Sequence, residues 1–219
     1  MVKVAVVLAG SGVYDGSEIN EAVLTLLSLE QHGAQYQCFA PDMEQMHVVN
    51  HLTGEVAEGE SRNVLVEAAR ITRGNVKDIR EAKVEAFDAL VVPGGFGAAK
   101  NLSDFAVNGS AMTVQKDFLT LAQAMHQTGK PIGLVCIAPT MAAAICGDGV
   151  QCTVGNDTQT AAAISDMGGV HLDCPVEEAR IDTENKLVTT PAYMLATSVS
   201  QAYKGIDELV EEVLKLTEV

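Results

Sequence analysis

Pro131-Ile132-Gly133-Leu134-Val135-Cys136-Ile137-Ala138-Pro139-Thr140-Met141-Ala142 begins as a short apolar run and ends as an alanine-rich, helix-favouring one, with a cysteine at the junction. A buried strand that turns sharply into a helix lifts the junction residue out of the sheet's carboxyl edge. It also aims the first free N–H groups of the helix at that side chain. The positive end of a helix favours a thiolate over a thiol, and the thiolate is the nucleophile. The plainer alternative is a small core residue, since free cysteine is commonly buried.

Strands and helices alternate outward from this elbow. Upstream, Val114 to Gln127 is an amphipathic helix with Phe118, Leu121, Ala122 and Met125 inward, ended by Gly129. Before it, Phe87 to Val92 reads as a buried strand, followed by Pro93-Gly94-Gly95-Phe96-Gly97, where paired glycines allow positive φ and offer bare N–H groups to a ligand. The chain opens with a buried strand from Val2 to Leu8. A helix comes next, with Ser17 as its cap, acids Glu18 and Glu21 in its first turns, and Ile19, Ala22, Val23, Leu26 and Leu27 on its inner face. Tyr36 to Ala40 is the second strand, a parallel crossover partner of the first.

Residues 43–80 are polar and mixed, with a helix from Val64 to Ile71 and no strand until Val76. This stretch reads as an insertion that decorates the carboxyl edge. Downstream of the elbow, the pattern gives a helix from Ala138 to Ile145, a strand from Gln151 to Val154 and a helix from Thr158 to Met167. Strands come after it at 170–174, 179–182 and 186–190, then a terminal helix in two parts, 198–202 and 206–216. The result is a single α/β domain over residues 1–219, an open, mostly parallel, doubly wound sheet of flavodoxin-like type.

Composition narrows the partners. A net charge of −15 repels phosphate, which argues against nucleic acid and anionic membrane surfaces. No apolar run approaches the roughly 20 residues that span a bilayer. Five cysteines, with no CxxC pair, point to free thiols in a reducing cytoplasm rather than a disulfide framework or a zinc site, so no metal is expected. The glycine turn matches neither a P-loop nor GxGxxG, which gives no ground for a nucleotide.

In such a sheet, ligands bind where the strands end at their carboxyl edge. Three features converge there: Glu18 or Glu21, Gly94-Gly95, and Cys136. Cys136 can add to a carbonyl, the N–H groups of Gly95 and Ile137 can hold the resulting oxyanion, and a partly buried carboxyl can move the proton.

These residues resemble the ThiJ/PfpI superfamily, which shares the class I glutamine amidotransferase-like fold. The resemblance rests on Asp15-Gly16-Ser17-Glu18-Ile19-Asn20-Glu21-Ala22-Val23, Pro93-Gly94-Gly95 with Asn101-Leu102, and Cys136-Ile137-Ala138-Pro139-Thr140. Further stretches are similar to the branch called enhancing lycopene biosynthesis protein two, or ElbB: Val49-Asn50-His51-Leu52-Thr53-Gly54-Glu55, Arg62-Asn63-Val64-Leu65 and Thr189-Thr190-Pro191-Ala192-Tyr193-Met194. The resemblance implies a cytoplasmic homodimer without a cofactor. It also implies a glyoxalase that converts small 2-oxoaldehydes, methylglyoxal or glyoxal, to lactate or glycolate. The branch name adds a link to isoprenoid biosynthesis. The functional glutamate of the superfamily falls on Glu21 when counted back from Gly33 and on Glu18 when counted forward from Gly16.

One departure stands out. Many members place a histidine at the end of the strand after the elbow, and here that strand ends Thr153-Val154-Gly155-Asn156-Asp157. His51, in the insertion, is the one histidine expected near the site. Losing the usual partner of a cysteine nucleophile argues against glutaminase chemistry. It leaves two other readings beside the glyoxalase: a redox-sensing or regulatory thiol protein, and an amidotransferase-like hydrolase.

Overall fold

The computed structural model describes residues 1–218. Its elements in chain order are β1 (Lys3–Val7), α1 (Ile19–Gln31), β2 (Gln35–Ala40), β3 (Val49–Asn50), β4 (Glu55–Val56), α2 (Val64–Ile71), β5 (Val76–Asp78), β6 (Ala89–Val92), α3 (Phe96–Lys100), α4 (Phe105–Asn108), α5 (Lys116–Gln127), β7 (Ile132–Val135), α6 (Ala142–Cys146), β8 (Gln151–Cys152), α7 (Thr158–Asp166), β9 (Val170–His171), β10 (Arg180–Asp182), β11 (Leu187–Thr190) and α8 (Val199–Leu216).

Seven strands form one sheet in the order β10-β11-β7-β6-β1-β2-β5. All neighbours are parallel except the β10–β11 edge pair. Alternate residues of β1 feed opposite layers, as a strand buried on both faces requires. Val4 and Val6 pack with Ala22, Leu29, Ile206, Leu209 and Val213 of α1 and α8. Ala5 and Val7 pack with Phe118, Leu121, Met125 and Ile145 of α5 and α6. From β1 the chain steps outward to β2 and β5, then returns to β6 on the other side of β1. The reversal of strand order therefore falls between β1 and β6, where the carboxyl ends open a crevice.

Four local expectations change. Ile19, Val23 and Leu27 of α1 are exposed, and the buried side is Glu21, Ala22, Thr25, Ser28 and Leu29. This inward polar face is satisfied: Thr25 Oγ1 donates to the Glu21 carbonyl and Ser28 Oγ to Asp207. Ser17 does not cap α1; its hydroxyl lies buried and accepts the Ala9 N–H, and Glu18 is the cap, accepting the Glu21 N–H at 2.7 Å. The strand at 151–154 stays out of the main sheet and pairs with β9, because its donors go to side chains, Gln151 N–H to Asp182 and Thr153 N–H to Thr189. The terminal helix is continuous, since Ala202, Ile206, Leu209, Val210 and Val213 carry one buried face through it.

Residues 43–80 hold α2, β5 and, against the expectation of no strand before Val76, the two-residue strands of the β3–β4 hairpin, too short to show an alternating pattern; β5 pairs with β2 at the edge of the main sheet. The hairpin end is tied to the loop after β1 by the Val49 N–H, which donates to Asp15.

Candidate functional site

Four loops leave the carboxyl ends of β1, β6, β7 and β11 and meet around Cys136. The elbow holds that residue at φ +64°, a left-handed conformation uncommon outside glycine, with its own N–H donating to the Thr190 carbonyl at 2.9 Å. A 3-10 turn, Ala138–Met141, leads from the elbow into α6. Cys136 is only 7% exposed, yet it forms part of the wall of a cleft of about 430 Å³. The N–H groups of Gly95 and Ile137 point at its sulfur.

Glu21 completes the centre. It is fully buried at the start of α1 and hydrogen-bonds the Cys136 thiol. One carboxyl oxygen accepts the Gly94 N–H at 3.0 Å, the other the Tyr193 N–H at 3.1 Å. The Glu18 N–H in turn donates to the Gly94 carbonyl at 2.9 Å, so the glycine turn clamps the start of α1. Both glycines are required there. A methyl on Gly94 would overlap Cys136 Cβ and Glu21 Oε2, and Gly95 sits at φ +93° against the Glu18 backbone.

Burial dominates the electrostatics. It lifts the Glu21 carboxyl from 4.5 to about 8, with the nearby Glu18 charge adding to the rise. It also pushes the Cys136 thiol well up, helped by Glu21 and opposed by the two N–H groups. A resting thiolate, expected from the helix end, is therefore replaced by a neutral thiol–carboxyl pair: in a dry crevice beside an acid, burial outweighs a short helical turn. Glu18 is half-buried, faces the cleft, and is also raised by desolvation.

The structure thus brings together Cys136, Glu21, Glu18, Gly94, Gly95 and Ile137. It does not bring His51. That imidazole accepts the Tyr14 N–H at 3.1 Å, lies 3.8 Å from Asp15, and lines a separate depression with Val48, Asn50 and Arg62. His171 approaches the strand that lacks a histidine, but its ring accepts the Val154 N–H at 3.2 Å. No histidine lines the Cys136 cleft among the described residues.

Sequence reasoning gave no role to Tyr193, whose N–H holds Glu21, or to Asp157, which lines the cleft while capping α7. Asn101, whose amide ties the Ala9 and Asp15 carbonyls, entered only through the family resemblance. The available signal was position: Tyr193 lies just past the end of a parallel strand, and such loops converge on one edge.

A parallel α/β sheet with a strained cysteine elbow and a buried acid defines a protein of class I glutamine amidotransferase-like fold. Drosophila melanogaster DJ-1beta shares that fold at 18% identity, with a TM-score of 0.54 over 100% of this chain and 97% of that one. No family model matches the chain. It is 48% identical over 224 residues to the human glutamine amidotransferase-like class 1 domain-containing protein 3, mitochondrial, covering 98% of this chain and 83% of that protein. It is 46% identical over 224 residues to the ES1 protein homolog, mitochondrial, of Rattus norvegicus, covering 98% and 84%. A crystal structure described as an isoprenoid biosynthesis protein with amidotransferase-like domain, from Ehrlichia chaffeensis, superposes with a TM-score of 0.92 at 40% identity over 99% of each chain. The chain belongs to this glutamine amidotransferase-like class 1 domain-containing family.

The relatives' names also correct the compartment. The human, rat and zebrafish proteins are named mitochondrial, against the cytoplasmic expectation. Unpaired cysteines indicate a reducing environment and do not distinguish one such compartment from another.

Proposed function

We propose that the protein is a cofactor-independent glyoxalase acting on small 2-oxoaldehydes. The observation that carries this reading is the hydrogen bond between the buried Glu21 carboxyl and Cys136, a residue that lines the cleft, with two N–H groups converging on the same sulfur. The Cys136 sulfur bonds to the aldehyde carbon, and its proton passes through Glu21 to the new alkoxide, giving a hemithioacetal. In this reading the Gly95 and Ile137 N–H groups, which point at the sulfur, stabilise the oxyanion formed beside it. Glu21 then removes the proton on the former aldehyde carbon and returns one to the neighbouring carbon through an enediol, leaving a thioester. Water cleaves the thioester, releasing the hydroxy acid and restoring the thiol. The sequence is redox-neutral: methylglyoxal plus water yields lactate and a proton. A carboxyl near 8 suits both directions of transfer at neutral pH.

Among the described residues no imidazole lines the cleft beside the thiol to support glutaminase chemistry. That same lack favours a second reading, a regulatory thiol, but the raised thiol weighs against ready oxidation. The exposed stripe Ile19, Val23 and Leu27 on α1 supports a homodimer, since a second copy would cover it. The isoprenoid link belongs to the Ehrlichia chaffeensis relative's description and has no counterpart in this geometry.

The test is lactate formation from methylglyoxal in metal-free buffer by wild type and Cys136→Ala. The wild type is expected to produce lactate and the variant only the uncatalysed background. Equal rates would end the reading.

A further inference from the structure

We infer that the cleft selects uncharged 2-oxoaldehydes bearing an apolar substituent and rejects anionic ones, with Glu18 and Asp157 as the charge filter. This rests on the lyase reading of Cys136 and Glu21. The cleft, about 430 Å³, is far larger than a three-carbon substrate needs. Its wall beside Cys136 is formed by Val13, Phe96, Phe105 and Met194, a surface suited to an alkyl or aryl group. The ionisable side chains facing it, besides Cys136 and the Tyr193 phenol, are the two acids, and no Lys, Arg or His lines it among the described residues. Lys100, close to this wall, is engaged elsewhere: its ammonium donates to the Tyr14 carbonyl at 2.8 Å and lies over the Phe96 ring.

Asp157 stays ionised, because the Thr160 side chain and N–H hold its carboxyl below the usual range. A carboxylate or phosphate on the substrate would be repelled by this exposed charge, and among the described residues no cationic side chain lines the cleft to offset it. The overall charge of −15 extends the repulsion outward. The two N–H groups at the sulfur serve the reacting oxygen rather than a remote anion. An uncharged substituent meets none of these penalties and gains from the apolar wall.

The experiment compares kcat/KM for methylglyoxal, phenylglyoxal and 4-carboxyphenylglyoxal, the last two matched in shape except for the charged group. Asp157→Asn is the informative variant, because Asn caps a helix about as well as Asp and the start of α7 is kept. In wild type, phenylglyoxal is expected to be at least as good a substrate as methylglyoxal, and its carboxylated form about tenfold worse or more. That gap narrows severalfold in Asp157→Asn and as salt is raised. Equal rates for the two aryl compounds would overturn the inference, and so would a gap that neither salt nor Asp157→Asn moves. If none of the three yields a hydroxy acid, the lyase reading fails by itself. Calorimetric titration of the same compounds as reversible Cys136 adducts still ranks them, and equal affinity for the two aryl compounds then overturns the charge filter.

Discussion

Cys136 and Cys152 make an internal comparison. Both are buried beside strand ends, and burial holds both thiols above their ordinary value, Cys152 at about 12. Cys152 keeps regular strand geometry, is fully buried, and turns its sulfur toward the Pro139 carbonyl at 3.8 Å. Cys136 is forced to φ +64°, touches a cleft, and faces two N–H groups and a carboxyl. Burial alone makes a cysteine inert. What separates the two is what the backbone turns them toward: an acceptor in one case, donors and a proton carrier in the other.

The strongest way to break this comparison is to remove each sulfur. Cys136→Ala should abolish lactate formation and leave the denaturant midpoint little changed. Cys152→Ala should keep the rate within about twofold and lower stability by about 1–2 kcal/mol, through the cavity it leaves. The reverse pattern would mean that the elbow is structural.

The next effect separates the acids. Glu21→Gln preserves shape but cannot carry the proton, so the rate should fall on the order of 10²–10⁴-fold. Glu18→Gln retains an oxygen for the Glu21 N–H and should cost only a few-fold. Equal, mild losses would take the proton-transfer role from both.

The sheet, the elbow and the glycine turn were legible because each is written locally, in apolar runs bounded by glycine. α5 was legible for the same reason: Phe118, Leu121, Ala122 and Met125 are all buried. α1 misled because its inward side carries Glu21, Thr25 and Ser28: Thr25 is satisfied within the helix, but Glu21 and Ser28 are satisfied by partners that only the folded chain supplies, Gly94, Tyr193 and Asp207. Its apolar stripe meanwhile faces outward. The choice between Glu18 and Glu21 stayed open for a related reason. Three residues apart on a helix, the two share one region of its surface, and only the neighbours contributed by Gly94 and Tyr193 tell them apart.

Titration sharpens the contrast further. Glu21 binds its proton more tightly folded, at about 8, than unfolded, near 4.5, so its contribution to stability is fully present below about 4.5 and is lost as pH rises through 8. Wild type should therefore lose stability between those limits, measured by urea midpoints, and Glu21→Gln should flatten that slope. Transfer of the thiol proton needs the ionised carboxyl, so kcat/KM should rise with pH through about 8, an apparent value that belongs to the coupled pair. A flat stability difference between wild type and Glu21→Gln across this window would place the Glu21 carboxyl outside the buried pair.

The smallest effect concerns thiol reactivity. A dedicated redox sensor would oxidise at Cys136 well before the other four sulfurs under limiting peroxide. The thiol raised by burial and by Glu21 predicts instead that Cys136 gains no such lead at pH 7, where half-buried Cys146 is at least as accessible. At pH 9, above the Glu21 titration, the carboxylate opposes the thiolate most strongly. Glu21→Gln should then speed alkylation of Cys136 severalfold and leave Cys152 unchanged, read by mass spectrometry of iodoacetamide-labelled peptides. Preferential oxidation of Cys136 in wild type at pH 7 would mean that the two N–H groups outweigh burial, and the sensor reading would then displace the lyase.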